Sequence, residues 1–161
     1  LQRYKPMKLR GYTLVELIII ISITGILLSF GISAYGKARD RQIGQTAGEQ
    51  IVAILQENQT IASVGKHDCS GKYSGQQVKI ESPNILKINS LCGVTQGAEK
   101  TISIDNIVFL ESPTLIFNPL SLGINLDTSD PLLLNYSSSS IMNYRLRITK
   151  SGTIENQGIQ P

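Results

Sequence analysis

The sequence predicts an α+β fold in which one long N-terminal helix packs against a mostly antiparallel β-sheet. Three patterns indicate this architecture. From Leu17 to Tyr35 the chain is apolar and carries no charged side chain. Apolar residues then recur at helical spacing as far as Val64. After Gly65 the pattern changes to short runs rich in Ile, Val, Leu and Tyr, separated by prolines and glycines.

The apolar run is long enough to cross a bilayer as a helix. About 20 mainly apolar residues span a hydrocarbon core of about 30 Å. Residues 14–32 contain many Leu, Ile, Val and Phe side chains, which together favour insertion by about 4 to 8 kcal/mol. The carboxylate of Glu16 costs at most about 3.5 kcal/mol, so insertion remains favourable. Residues 12–35 are therefore predicted to form the transmembrane part of the helix.

A basic leader precedes this span. Residues 1–11 carry four basic and no acidic side chains, so their removal changes the formal net charge from +3 to −1. The high isoelectric point therefore does not by itself indicate a nucleic-acid partner. Basic residues before a span keep the N-terminus in the cytoplasm, and the body is predicted to be extracytoplasmic. A secretory signal peptide cut near Ala34 is the alternative, although the apolar run is long for one and contains Glu16. Either translation starts at Met7, or Leu1 reflects an alternative start codon or a fragment of a longer chain.

The helix is predicted to continue beyond the membrane. Residues 36–64 form its amphipathic continuation, and no proline interrupts the join. We therefore predict one helix from about Tyr12 to Val64, ending near Gly65. The predicted core positions of the continuation are Ile43, Ala47, Ile51, Ile54, Leu55, Ile61 and Ala62.

Residues 65–161 are predicted to form a β-rich head. The predicted strands are Gln76–Glu81, Leu86–Asn89, Thr101–Leu110, Thr114–Asn118, Leu132–Tyr136 and Tyr144–Thr149. A tight hairpin turn at residues 150–152, KSG, is predicted to lead into a further strand at residues 153–155.

The start of the helix resembles a processing signal. Residues 8–11 read KLRG and residues 12–16 read YTLVE. This resembles the class III signal of type IV pilins and pseudopilins, in which a basic leader ends in Gly before an aromatic residue and a nearby Glu. The resemblance implies that a prepilin peptidase cuts after Gly11 and methylates the new N-terminus at Tyr12, where the family usually has Phe. It also implies a pilin-like fold.

The resemblance gives Glu16 a role in assembly. Helices in a filament pack away from water, where a buried carboxylate needs a cation. The predicted cation is the α-amino group of a neighbouring subunit's Tyr12, which becomes free after cleavage at Gly11. An incidental acid near the membrane interface is the alternative. The other implied partners are further pilin or pseudopilin subunits, the inner membrane, and an assembly platform with its ATPase.

The head resembles GspH/FimT-type minor pilins and pseudopilins more loosely. Residues 114–119, TLIFNP, followed by Gly123, are similar to an F-x-P-x-G region of those proteins. Residues 145–148, RLRI, followed by GTI at residues 152–154, are similar to their C-terminal strand–Gly–strand. A cell-surface pilus and a periplasmic secretion pseudopilus both fit this resemblance, as do major and minor subunits.

Cys69 and Cys92 are the only cysteines. Their predicted extracytoplasmic position permits a disulfide, which would close a loop of about two dozen residues and contribute about 3 kcal/mol. Two free thiols and a metal site are the alternatives. His67 and Asp68 lie beside Cys69, but no comparable ligands flank Cys92.

The residues suggest no catalytic chemistry. The sequence has one His and no phosphate-binding glycine loop after a strand. We therefore predict a chain that is not an enzyme and needs no cofactor or metal. The alternative function is a single-pass anchored or secreted binding module that never enters a filament.

One binding hypothesis concerns the last predicted strand. Arg145 and Arg147 share a strand face, with Lys150 just beyond them and Tyr144 nearby. The three basic side chains would contact the phosphates of DNA during uptake. We favour the alternative, in which these side chains form a solvated face opposite an apolar core face.

Overall fold

The computed structural model describes residues 12–93, 95–121, 123–126, 130–138 and 142–160, without the side chains of residues 30–34 and 121. The predicted leader at residues 1–11 lies outside the described residues. One α-helix, α1 (Leu14–Val64), precedes a series of strands in the described part of the chain. The chain divides into two compact units, Leu1–Ala38 and Arg39–Pro161, and α1 contributes residues to both.

Helix α1 ends in a Schellman motif at Gly65. This residue has a φ of 73°, a conformation that glycine adopts at no steric cost. The backbone N–H of Gly65 donates to the carbonyl of Ala62 at 3.2 Å, and the N–H of Lys66 donates to the carbonyl of Ile61 at 3.3 Å. These bonds satisfy carbonyls that a helix end otherwise leaves unpaired. The helix therefore ends where the sequence predicts.

The strands form two antiparallel sheets. They are β1 (Tyr73–Glu81), β2 (Ile85–Cys92), β3 (Thr95–Gln96), β4 (Lys100–Ser103), β5 (Ile107–Phe109), β6 (Thr114–Phe117), β7 (Ile124–Leu126), β8 (Leu132–Ser138), β9 (Asn143–Ile148) and β10 (Ile154–Ile159). One sheet has the order β3-β2-β1-β6-β7, with β4 also paired to β2, and the other has the order β10-β9-β8-β5. The predicted α+β class, with a helix packed on antiparallel strands, is confirmed.

The prediction of one strand over residues 101–110 is wrong. This stretch forms β4 and β5, which lie in different sheets because β4 pairs with β2 and β5 pairs with β8. The chain turns between them at Asp105 and Asn106. Asn106 has a φ of 61°, a left-handed conformation that Asn tolerates and that ends a strand. The described strands of the head therefore form two sheets where one was predicted. The short strands β3 and β7 were not predicted.

The second half of α1 packs against the strands through one face. Its buried apolar residues Ala47, Ile51, Leu55 and Ala62 are spaced by four or seven positions, which places them on one side of a helix. They belong to the same core cluster as the buried residues of the strands. A fully buried Leu or Ile contributes about 1.5 to 3 kcal/mol, so this face holds the helix on the sheets.

Two tyrosines of the four-stranded sheet lie against α1. Tyr136 of β8 and Tyr144 of β9 are register partners, and their rings stack with centroids 5.3 Å apart. The hydroxyl of Tyr136 donates to the carbonyl of Gly44 at 3.0 Å. A Cβ on Gly48 would fall against the same hydroxyl. Small residues on the helix therefore allow the sheet to approach the helix backbone.

Candidate processing and assembly site

Thr13 caps the first turn of α1. Its Oγ1 accepts a hydrogen bond from the backbone N–H of Glu16 at 3.2 Å, and its carbonyl accepts one from the N–H of Leu17 at 3.2 Å. Thr13 is therefore the N-cap and Glu16 the third helical residue, which is the spacing of a capping box. The sequence analysis missed this role, although the pattern T-x-x-E before an apolar run is its usual signal.

The capped turn also places Glu16 at the N-terminus of α1. The N-terminus of a helix carries a partial positive charge that stabilises a carboxylate in its first turn, and Glu16 is the acidic residue there. Glu16 thus has a local structural role in addition to the predicted pairing with a neighbouring subunit. Tyr12, the predicted new N-terminus, lies just before the cap and is 77% exposed. Gly11, the predicted cleavage position, lies outside the described residues.

The segment that follows exposes apolar side chains on all sides of the helix. Within the compact unit that ends at Ala38, eleven large apolar residues between positions 14 and 28 are each at least 48% exposed. They are Leu14, Val15, Leu17, Ile18, Ile19, Ile20, Ile21, Ile23, Ile26, Leu27 and Leu28. A helix that is apolar all round is normally covered by lipid or by other protein. This segment therefore needs a partner other than water.

A family model described as a prokaryotic N-terminal methylation motif matches residues 6–32. The matched range includes the capped turn and all of the exposed apolar residues between positions 14 and 28. The motif indicates a prepilin-like type IV pilin or pseudopilin. No curated protein matches the chain, and no solved structure matches it. Among the described residues, no helix combines the length and hydropathy expected of a membrane span.

A pilin-type motif implies a structural subunit rather than an enzyme. It also implies a prepilin peptidase and other pilin subunits as partners in general. The predicted disulfide of this pilin-like chain is confirmed, because Cys69 and Cys92 are bonded with Cα atoms 5.9 Å apart. The bond joins the segment after α1 to the end of β2. His67, which lies beside Cys69 in the segment between α1 and β1, is exposed and stacks on Tyr73, with ring centroids 4.9 Å apart.

The arginines of β9 lie on the outer face of the four-stranded sheet of this pilin-like head. Alternate residues of β9 are buried, so Arg145 and Arg147 share the opposite face. The Nε of Arg145 donates to Oδ1 of Asn135 at 3.0 Å. The Nη1 of Arg147 lies 3.5 Å from Oε2 of its register partner Glu155. Both guanidinium groups therefore already have partners within the sheet.

The other two members of the predicted DNA-contact group lie elsewhere. Lys150 is exposed in the turn between β9 and β10, where its backbone N–H donates to Oδ1 of Asp130 at 3.1 Å. Tyr144 was expected beside the arginines, but it is fully buried on the core face. Burial also raises the pKa of the Tyr144 hydroxyl. Tyr144 is thus not available beside the arginines on the outer face of the sheet.

Proposed function

We propose that this protein is a structural subunit of a type IV pilus or a type II secretion pseudopilus. It is made as a precursor, cleaved after Gly11 and methylated at Tyr12 by a prepilin peptidase. Residues 12–35 anchor it in the inner membrane, with the head on the extracytoplasmic side. An assembly platform and its ATPase then extract it into a cell-surface pilus or a periplasmic pseudopilus, where its apolar helix packs against other subunits.

One observation carries this proposal: the apolar surface of residues 14–28 is exposed on every side of α1. At about −0.3 to −0.6 kcal/mol for each Leu, Ile or Val, such a surface favours a bilayer over water. The same side chains pack equally well against the helices of neighbouring subunits. A segment of this kind suits a protein that moves from a membrane into a helical bundle.

Glu16 is the charged residue within this apolar surface. A carboxylate in a bundle of helices is costly unless a cation neutralises it. We propose that the amino group of a neighbouring subunit's Tyr12 supplies this cation. The capped turn supports the proposal, because Thr13 fixes the backbone around Glu16 and so fixes the position at which a neighbour can bind. The pair would then set the axial step between subunits.

The finer assignment to GspH/FimT-type minor subunits is also a proposal. Its support is that the two head segments with this resemblance meet in space. The backbone N–H of Ile124, directly after Gly123, donates to the carbonyl of Lys150 at 2.9 Å. Gly123 has a φ of 85°, and a Cβ there would collide with the same carbonyl. The glycine is therefore required where the β6–β7 turn contacts the β9–β10 turn.

The test is mass spectrometry of the N-terminal peptide, isolated from the membrane fraction of the native host. We expect a peptide that begins with N-methylated Tyr12. The matched control is a Gly11→Val variant, which should remain uncleaved. A native peptide that begins at Met7, or one that begins near Tyr35, would show that the peptidase does not use Gly11. The anchored or secreted binding module would then replace the filament subunit as the function.

A further inference from the structure

A cavity of about 270 Å³ lies between the C-terminal part of α1 and the six-stranded sheet. Three polar side chains in its wall are more than nine-tenths buried: Asn58 of α1, Gln76 of β1 and Ser90 of β2. Buried polar groups of this kind usually have all their hydrogen-bond partners. A cavity walled by three of them offers hydrogen-bonding groups to a polar ligand.

These side chains have unused hydrogen-bonding capacity. Nδ2 of Asn58 donates to the carbonyl of Ile54 at 2.7 Å, and Oγ of Ser90 donates to Oε1 of Gln76 at 3.1 Å. Within the described part of the chain, the other polar atom of each amide, Oδ1 of Asn58 and Nε2 of Gln76, has no partner. One acceptor and one donor group therefore remain for a ligand.

The rim of the cavity carries unpaired charges of both signs. Lys66, Lys100 and Glu57 line the cavity and are exposed. None of them takes part in an ion pair among the described residues. Asp68 also lines the cavity, but its Oδ2 already accepts the backbone N–H of Ala98 at 3.2 Å. The rim therefore carries two ammonium groups and two carboxylates, and one oxygen of the Asp68 carboxylate already accepts a hydrogen bond.

The remaining lining is mostly aliphatic. Ile61, Ile88 and Ile102 come from α1, β2 and β4 and form the apolar part of the wall, which Ala98 and the imidazole of His67 complete. The isoleucine surface suits a few methylene groups. The cavity is close to the lower end of the range of about 300 to 1,000 Å³ that is usual for small-molecule sites.

We propose that this cavity binds a free amino-acid zwitterion and prefers an acidic amino acid. The two carboxylates of such a ligand match Lys66 and Lys100, and its ammonium group matches Glu57. The amides of Asn58 and Gln76 complete its hydrogen bonds, and its methylene groups lie on the isoleucines. The site belongs wholly to the unit Arg39–Pro161 and does not depend on the proposed filament role.

The test uses the full chain in detergent micelles, with its isoleucine methyl groups isotopically labelled. L-glutamate is added stepwise, and the methyl signals are followed by NMR. We expect saturable shifts of the methyl groups of Ile88 and Ile102 at glutamate concentrations up to about 10 mM. The methyl group of Ile148, buried elsewhere in the four-stranded sheet, should not move. Glutamine, N-acetylglutamate and glutarate each remove one charged group of the ligand and should each bind more weakly.

Two rim variants and one control locate the site. Lys100→Gln and Glu57→Gln should each weaken glutamate binding about threefold, as expected for exposed charge pairs. Glu57→Gln should weaken glutarate binding much less, because glutarate has no ammonium group. The control is Glu49→Gln, on an exposed part of the same helix and outside the cavity lining, which should bind like the unmodified chain.

Two results would overturn the proposal. The first is the absence of any saturable shift of the Ile88 and Ile102 methyl groups. The second is equal binding of glutamate, N-acetylglutamate and glutarate, which would show a non-specific response to anions. A Gln76→Leu variant gives an independent check on the buried wall. It should lose binding while the unchanged Ile148 methyl signal reports that the head is folded.

Discussion

The ring of Tyr144 lies directly against the backbone of Gly44. A Cβ on Gly44 would overlap atoms of that ring. The Tyr144 hydroxyl lies 3.4 Å from the carbonyl oxygens of Asp40 and Arg41, one turn earlier in α1. Glycine costs about 1 kcal/mol relative to alanine in a helix interior. Its presence at position 44 is explained by this close approach between the helix and the sheet.

A Gly44→Ala substitution should therefore destabilise the head despite its better helix propensity. The added methyl group must displace a buried ring, which typically costs about 1 to 3 kcal/mol. Thermal unfolding of the full chain in detergent, followed by near-ultraviolet circular dichroism of the tyrosines, measures the effect. The control is Gly36→Ala, where a Cβ would meet no described atom within 4 Å and stability should be unchanged or higher. Equal behaviour of the two variants would contradict the packing explanation.

Substitution of Glu16 by Gln removes the charge and keeps the capped turn, because Thr13 Oγ1 accepts from the backbone N–H of residue 16. Glutamine is as suitable as glutamate at the third position of a capping box, but it carries no charge. We expect Glu16→Gln to be cleaved and inserted normally and to enter filaments poorly. Immunoblots of sheared filaments, compared with membrane fractions, measure incorporation. Thr13→Ser, which keeps the capping hydroxyl, is the matched control, and normal incorporation of Glu16→Gln would refute the charge pair.

Loss of the Cys69–Cys92 bond should destabilise the head by about 3 kcal/mol, the value expected when a loop of this length is no longer closed in the unfolded state. Cys69→Ser, Cys92→Ser and chemical reduction should all have similar effects, since each removes the same bond. Denaturant titration with and without a reductant measures the change. A reductant effect that persists in the double Ser variant would point to another cause.

The buried tyrosines should make the head unstable at alkaline pH. Burial raises the pKa of the Tyr136 hydroxyl above its usual value of 10.0, with a smaller contribution from neighbouring Tyr144. The unfolded chain then loses these protons at a lower pH than the folded chain does. The associated stability is complete below pH 10.0 and falls as the pH rises above it.

A Tyr136→Phe variant tests this pH dependence. It removes one titrating hydroxyl, so the decline in the free energy of unfolding above pH 10.0 should become less steep. It also removes the hydrogen bond from the Tyr136 hydroxyl to the carbonyl of Gly44, which should lower stability at neutral pH by about 1 kcal/mol. Parallel denaturant titrations at several alkaline pH values give both quantities. An unchanged alkaline slope would show that Tyr136 does not control it.

Replacement of Arg145 and Arg147 by Gln should leave filament assembly and DNA retention unchanged. Their guanidinium groups bind Asn135 and Glu155, and exposed pairs of this kind contribute at most about 1 kcal/mol to stability. A DNA-retention assay of cells that carry the double variant measures the effect, with Lys150→Gln as the companion variant. Loss of retention in the double variant, relieved at lower salt, would support the DNA-uptake hypothesis instead.

The helix could be predicted from the sequence because its apolar spacing is a local pattern. The disulfide could be predicted because the chain has only two cysteines. Apolar residues at four-residue spacing and Gly65 define the amphipathic half of α1, and two cysteines permit a single pairing. The T-x-x-E pattern at residues 13–16 also indicates a capped helix start. Glu16 was nevertheless interpreted only as an assembly residue.

The division of the head into two sheets could not be predicted in this way. No proline or glycine separates β4 from β5, and the turn at Asn106 depends on the distant pairing of β5 with β8. The need for glycine at position 44 depends on Tyr144, a hundred positions further along the chain. Long-range contacts of this kind leave no periodic pattern in the sequence.

The Cys69–Cys92 bond has a consequence for measuring export. Thiols remain reduced in the bacterial cytoplasm and are oxidised outside it. On the proposed topology, heads that have crossed the membrane carry the bond, and heads that have not crossed it carry two free thiols. The fraction of chains that an alkylating reagent labels at these two positions would therefore count the subunits still waiting for translocation, without fractionation of the cell.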